Sequence, residues 1–93
     1  MDEERVIRLT KQSDKVFGPG VNELVTVEEL NELSQALVRF ILGKSSIQRV
    51  VEELADVKIM LTWLESRVNR KKLNKHINQK LDKLEEKIME AKK

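Results

Sequence analysis

The chain contains no cysteine and only one histidine, His76. The absence of cysteine excludes disulfides and thiolate metal sites. A single imidazole cannot form a histidine-rich zinc cage, and we interpret His76 as a surface residue. A metal ion bound here would therefore have carboxylate oxygens as ligands, which favour magnesium, manganese or calcium.

Long apolar runs are also lacking. Charged residues follow the first methionine, and each apolar run covers only a few positions. This pattern predicts neither a signal peptide nor a membrane span. We therefore expect a cytoplasmic protein without a membrane partner.

Glycine and proline are scarce, with three glycines and one proline in 93 residues. Most of them fall in Gly18-Pro19-Gly20, which predicts a loop. Elsewhere the apolar residues recur at spacings of three and four, which predicts an all-α, four-helix bundle with short connections in one domain, residues 1–93. The predicted helices run from about Glu3 to Val16, from near Thr26 to Gly43, from Ser45 or Ser46 to about Leu64, and from about Asn69 to Met89.

The predicted helix signals and interior stripes follow from local patterns. Thr26 begins a Thr-Val-Glu-Glu capping box, and Gly43 is a typical terminator. The expected inward-facing residues are Val6, Leu9 and Val16 on the first helix; Leu30, Leu33, Leu37, Phe40 and Ile41 on the second; Ile47, Val50, Leu54, Val57, Leu61 and Leu64 on the third; and Leu73, Ile77, Leu81, Leu84 and Ile88 on the fourth.

A chain this short buries a small fraction of its surface, so oligomerisation is a common remedy. The third helix has a second apolar face, formed by Ile59, Met60 and Trp63. Surplus apolar surface of this kind marks a subunit interface, a face covered by the fourth helix, or a wall that binds a nucleobase. We predict that it is an interface between subunits.

Charge is unevenly distributed along the chain. Residues 1–68 contain nine basic and twelve acidic side chains (9 − 12 = −3), whereas residues 69–93 contain nine and four (9 − 4 = +5). A basic tail can bind nucleic acid or a polyphosphate, or it can be a solvated lysine-rich helix.

Two acidic pairs suggest chemistry. Glu29 and Glu32 lie three residues apart on the second helix, and Glu53 and Asp56 have the same spacing on the third. Residues at this spacing share one helix face. Packing the two helices together would bring four carboxylates face to face, where they repel one another unless a cation lies between them. With sixteen acidic residues in the chain, roughly two or three such pairs arise by chance, so a single pair is weak evidence.

The two segments that carry these pairs, Glu-Glu-Leu-Asn-Glu-Leu-Ser-Gln-Ala-Leu (28–37) and Glu-Glu-Leu-Ala-Asp-Val-Lys-Ile-Met-Leu (52–61), resemble the two halves of the MazG-like signature. That signature is a Glu-x-x-Glu helix followed by a Glu-x-x-Asp helix. The superfamily also includes dimeric dUTPases and phosphoribosyl-ATP pyrophosphohydrolases. The resemblance covers about residues 15–88 and is greatest to short phage and bacterial forms.

The resemblance implies a function. Such proteins are all-α homodimers or tetramers that cleave nucleoside triphosphates between the α- and β-phosphorus, giving a nucleoside monophosphate and pyrophosphate. It implies that the ligands of Mg²⁺, or of Mn²⁺, are Glu29, Glu32, Glu53 and Asp56. Glu28 or Glu29 would activate water, and Lys80, which resembles a lysine of the family's last helix, would hold the polyphosphate. Trp63 is a candidate either to stack on the base or to lie in a subunit interface.

Other observations keep alternatives open. The stretch 68–72 lacks the aromatic-glycine turn expected of short phage members. One alternative is a helical interaction module without enzymatic activity, associated with regulation or nucleic acid. Nucleic-acid binding is disfavoured, because two phenylalanines and one tryptophan offer few platforms for base stacking. A third alternative is a relative that binds metal or nucleotide without turnover.

Overall fold

A computed structural model describes residues 1–93, which form four helices and no strands. The predicted all-α class and the number of helices are confirmed. The helices are α1 (Glu3–Phe17), α2 (Val21–Ile41), α3 (Ile47–Glu65) and α4 (Arg70–Ala91). None of them combines the length and apolar content needed to cross a bilayer.

Side-chain caps begin two of the four helices, and a glycine ends a third. The Asp2 carboxylate caps α1 by accepting a hydrogen bond from the Arg5 amide, and the Asn69 side chain caps α4 by accepting one from the Lys72 amide. At the end of α2, Gly43 has a φ of 71°, and the next amide, that of Lys44, donates to the Arg39 carbonyl over 2.8 Å. This left-handed glycine ends the helix as predicted.

The predicted start of α2 is wrong by about one turn. The Gly18–Gly20 loop ends sooner, and Gly20, in a left-handed conformation, is the N-cap residue. The Thr26 hydroxyl donates to the Asn22 carbonyl over 2.7 Å, as a residue inside the helix does, instead of capping free amides. Ser46 takes the predicted N-cap position of α3, but its side chain makes no capping hydrogen bond.

The helices α2 and α3 form an antiparallel hairpin, and α1 packs against both of them. The α2 residues that face this packing are half-buried or buried: Asn22, Thr26, Glu29, Leu33 and Ala36. On α3 they include Val50, Glu53 and Val57. The seam between the two helices is therefore polar where the acidic residues lie.

The interior stripe predicted for α2 is largely wrong. Of its five residues, only Leu33 is half-buried, and the other four are exposed: Leu30, Leu37, Phe40 and Ile41. Helical periodicity places Leu30, Leu37 and Ile41 on a face about a quarter turn from the seam, whereas Phe40, four residues after Ala36, lies on the seam face near the end of α2. Ile47, Val51 and Leu54 of α3 are exposed as well and lie on the same side of the hairpin. We call this surface the outer apolar face of the hairpin. On α1, Val16 and Leu9 also remain exposed.

The second apolar face of α3 is mostly covered within the chain. Met60 and Trp63 are only 6% and 5% exposed, whereas Ile59 remains 43% exposed. The helix that packs on this side is α1, not α4. The prediction that this face joins subunits is wrong for Met60 and Trp63, because their side chains are already used in the core.

In contrast, α4 has no buried residue and is not one of the helices that pack together. Of its five predicted interior residues, Leu73 is half-buried, and the other four are exposed: Ile77, Leu81, Leu84 and Ile88. The radius of gyration is 16.8 Å, whereas a compact chain of this length has about 12 Å. One chain therefore forms a three-helix body with an extended fourth helix.

Candidate metal centre

The four predicted metal ligands come together in the seam of the hairpin. Each helix contributes two carboxylates one turn apart, and antiparallel packing sets the pairs opposite each other. One carboxylate oxygen from each residue lies within 4.8 Å of the others. The four residues are Glu29, Glu32, Glu53 and Asp56.

Burial distinguishes the members of the cluster. Glu53 is only 3% exposed, Glu29 is half-buried, and Glu32 and Asp56 are open to solvent. The Oε2 atoms of Glu29 and Glu53 are buried without a hydrogen-bond partner. Buried polar atoms are nearly always paired, so two orphaned oxygens in one cluster require an explanation.

The protonation of these groups reflects the crowding. Burial, followed by repulsion from Asp56 and Glu32, raises the pKa of Glu29 from the usual 4.5 to about 7. Burial and the close approach of Glu32 also raise the pKa of Glu53, although the Arg49 guanidinium acts in the opposite direction. The cluster thus resists carrying its full negative charge.

A hard divalent cation fits this donor set. All four groups offer carboxylate oxygens, which Mg²⁺ and Mn²⁺ prefer. A cation between them would both offset the repulsion and give partners to the orphaned oxygens of Glu29 and Glu53. The open side of the cluster, at Glu32 and Asp56, leaves room for water or substrate oxygens as further ligands.

An apolar cavity of about 470 Å³ lies one turn from the cluster, between α1 and the hairpin. Its walls include Val25, four residues before Glu29, and Met60, four residues after Asp56. The Asn22 side chain, also in the wall, donates to the Thr10 carbonyl over 3.0 Å. The cavity is large enough for part of a small molecule.

Three predicted site residues lie outside the cluster. Glu28 is exposed on α2, and Lys80 is exposed on α4. Trp63 is buried, and the Arg67 guanidinium lies over its ring, 5.6 Å from the centroid. His76 is exposed, as predicted.

Sequence reasoning missed Arg49, whose Nη2 donates to Glu53 Oε1 over 2.9 Å. The signal was present, because residues four apart on a helix are neighbours. It also missed Arg39, which lines a polar cavity together with Arg49 and Glu32.

Comparison with known proteins adds no assignment. No protein-family model, curated protein or solved structure matches this chain.

Proposed function

We propose that this protein is a MazG-like, magnesium-dependent nucleoside triphosphate pyrophosphohydrolase. It would cleave the bond between the α- and β-phosphorus, releasing a nucleoside monophosphate and pyrophosphate. One observation carries the proposal: the four carboxylates of the two motifs converge to within 4.8 Å, and two of them keep buried oxygens without partners. Such a site suits a cation that binds phosphate oxygens.

We assign different roles to the four carboxylates. Glu32, Glu53 and Asp56 would hold the cation, which when bound would polarise the phosphate oxygens and offset their charge. Glu29 is a further ligand or the base that takes a proton from the attacking water. If a carboxylate acts as the base, we assign that role to Glu29 rather than Glu28, because Glu28 is exposed and outside the cluster.

The apolar cavity next to the cluster supports a nucleotide substrate. A nucleotide has a flat, weakly polar base at one end and a polyanion at the other. Val25 and Met60 line the cavity one turn from the carboxylates, so a base bound there would leave its phosphates near the cation. Trp63 would support this wall from within the core instead of stacking on the base.

Assembly into a homodimer, or a pair of dimers, is part of the proposal. The chain exposes 7750 Å², whereas a compact monomer of its mass exposes about 5,500 Å². Much of the excess is apolar, on the outer face of the hairpin and along α4. A second copy covering these stripes would complete the core that one chain lacks. It would also be the means of bringing Lys80 of α4 to an active site.

A second candidate, a helical interaction module without enzymatic activity, is favoured by α4 alone. This helix has an unpacked apolar stripe and no buried residue, and the segment 69–93 has a net charge of +5 (9 − 4). The candidate gives no reason for the convergence of the four carboxylates.

One assay tests the proposed function. The protein is incubated with a panel of ribo- and deoxyribonucleoside triphosphates and Mg²⁺, and pyrophosphate and monophosphate are measured. We expect both products from at least one nucleotide, and none after chelation of the metal. The matched variants are Glu53→Gln, which should be inactive, and Glu52→Gln, which alters an exposed neighbour outside the cluster and should remain active. No pyrophosphate from any nucleotide would contradict the proposal.

A further inference from the structure

A second cavity, of about 300 Å³, adjoins the acidic cluster on the side away from the apolar cavity. Its lining comes from the end of α2, the connecting loop and the start of α3. The residues are Glu32, Gln35, Ala36, Arg39, Ser45 and Arg49. Glu32 belongs to both the cavity and the cluster, and Arg49 contacts Glu53. The cavity and the candidate metal centre are therefore contiguous.

The charge of this cavity is unusual for the hairpin. Arg39 and Arg49 are the only arginines of α2 and α3, and both line the cavity. They lie on different helices and meet there because the hairpin is antiparallel. A guanidinium presents five N–H donors in a planar fork that matches phosphate oxygens. Gln35 and Ser45 add neutral donors, and only one apolar residue, Ala36, is present.

Both arginines have donors to spare. Arg39 makes one long hydrogen bond, 3.4 Å, from Nη2 to the Lys44 carbonyl. Arg49 contacts Glu53 with Nη2 over 2.9 Å and Glu52 with Nη1 over 3.7 Å, and its side chain is 56% exposed. A cation bound to Oε2 of Glu53 would offset the charge of that carboxylate and so weaken its attraction for the Arg49 guanidinium on Oε1. Arg49 could then turn its donors to an anion in the cavity.

The order of the two cavities and the acidic cluster along the hairpin indicates how a nucleotide would be oriented. On α2 the apolar cavity touches Val25, the cluster follows at Glu29 and Glu32, and the arginine-lined cavity ends at Arg39. Along α3 the sequence order is reversed, with Arg49 first, the cluster next and Met60 last. Because the two helices are antiparallel, the three features have the same order in space on both helices. An apolar wall, an acidic metal centre and a basic cavity thus lie in one line, which matches the order of base, α-phosphate and terminal phosphates in a nucleotide.

We infer that the cavity lined by Arg39 and Arg49 binds the β- and γ-phosphates, the part of the substrate that leaves as pyrophosphate. The assignment to a leaving group rests on the proposed function. Recognition of a polyphosphate anion by two arginines beside a divalent cation rests on the cavity itself. Arg39 and Arg49 are binding residues in this scheme.

Binding of inorganic pyrophosphate, without any turnover, tests the inference. Calorimetry with Mg²⁺ in excess would compare the wild type with Arg39→Gln and Arg49→Gln. Arg8→Gln is the matched control, because Arg8 is an exposed residue of α1 outside the cavity. We expect each cavity variant to bind pyrophosphate about tenfold or more weakly, since each loses a charge-assisted contact, and the control to bind as the wild type does. Arg49→Lys should recover only part of the affinity, because lysine lacks the planar fork.

The outcomes separate this inference from the proposed function. Equal affinity in all variants, or no binding by the wild type, would overturn the inference, and nucleotide hydrolysis could still occur. Arginine-dependent pyrophosphate binding by a protein that hydrolyses no nucleotide would overturn the function and leave the cavity assignment standing. Circular dichroism and melting temperatures confirm that each variant is folded. If a glutamine variant is unfolded, Arg49→Lys and Arg39→Lys replace it in the comparison.

Discussion

Arg49 donates from Nη2 to Oε1 of Glu53, one turn later on α3, over 2.9 Å. The other oxygen of Glu53 is buried without a partner. The side chain of Arg49 is 56% exposed, whereas that of Glu53 is only 4% exposed. An exposed guanidinium therefore pairs with a carboxylate that is buried inside the hairpin. The guanidinium offsets part of the charge that a divalent cation could offset more fully.

Replacement of Glu53 by glutamine should remove activity without unfolding the protein. The variant loses a metal ligand, so turnover should fall on the order of 100-fold or more. This loss exceeds the roughly 10–100-fold loss that is typical when a residue behind a metal ligand is changed. Without metal, its melting temperature should equal or exceed that of the wild type, because one charge leaves a crowded cluster. Thermal melts in chelator and a pyrophosphate assay measure both effects. Wild-type turnover in this variant would refute the site assignment.

The pKa of Glu29, about 7 instead of 4.5, predicts two pH effects. Between these values the folded protein binds more protons than the unfolded chain, so the free energy of unfolding without metal should fall as pH rises through this window. Magnesium affinity should change in the opposite direction, rising about tenfold per pH unit up to about pH 7 and then levelling, because the cation binds the ionised form.

Calorimetric titrations with Mg²⁺ at several pH values, paired with denaturant melts in chelator, would measure these slopes. Glu29→Gln is the matched control, and its affinity should be weaker and depend less on pH. A flat magnesium affinity below pH 7 in the wild type would show that Glu29 is already ionised there.

Trp63 should matter for stability more than for substrate binding. It is 5% exposed, and truncating a buried aromatic residue to alanine costs about 3–5 kcal/mol. Trp63→Ala should therefore melt far below the wild type. Trp63→Phe should be folded and keep its KM for nucleotide within about twofold, since KM reports binding energy that this buried ring does not supply. A tenfold rise in KM at an unchanged melting temperature would instead indicate that Trp63 contacts the base.

The outer apolar face of the hairpin should hold subunits together. Leu37 is 42% exposed within one chain, and a glutamate at a buried interface position should weaken a dimer by about 2 kcal/mol or more, roughly 30-fold. Sedimentation of Leu37→Glu should show dissociation at concentrations where the wild type is associated. Gln12→Glu, on the exposed side of α1, is the control. A wild type that sediments as a monomer at micromolar concentration would contradict the proposed assembly.

Lys80→Ala should lower turnover, whereas Lys92→Ala, at the end of α4, should change it little. Lys80 is exposed on α4, which makes no extensive packing with the hairpin of its own chain, so we expect it to serve the site of a second copy. Mixing Lys80→Ala with the inactive Glu53→Gln variant should then restore activity, because one site of the mixed dimer has both residues. Equal, wild-type rates in the two lysine variants would leave α4 without a role in turnover.

The helices could be predicted from the sequence, but their packing could not. The pattern of apolar residues identified four helices, and Gly43 and Asn69 marked two boundaries correctly. Hydrophobicity then assigned Leu37 and Ile41 to the interior, whereas one chain buries Asn22 and Thr26. A pattern shows which face is apolar, and it does not show whether the same chain or another one covers it.

In the candidate site, too, some features could be predicted from the sequence pattern, and others depend on how the helices pack. The spacing of the acidic residues predicted the two pairs, because a turn of helix fixes which side chains are neighbours, and the packing of α2 on α3 brought the pairs together as expected. The cavity between Arg39 and Arg49 depends on how two helices meet across the hairpin, which periodicity along either helix cannot specify.

The attachment of α1 has a consequence for the apolar cavity. The side-chain amide of Asn22 on α2 donates hydrogen bonds to the Thr10 carbonyl and the Asp14 carboxylate of α1, over 3.0 and 3.1 Å. The two helices are joined by a short segment in which Gly18 and Gly20 both have positive φ. Because α1 forms one side of the cavity, the width of the cavity depends on the angle at this glycine joint. A ligand that fits the cavity must therefore match the helix spacing that this joint sets, as well as the side chains that line the cavity.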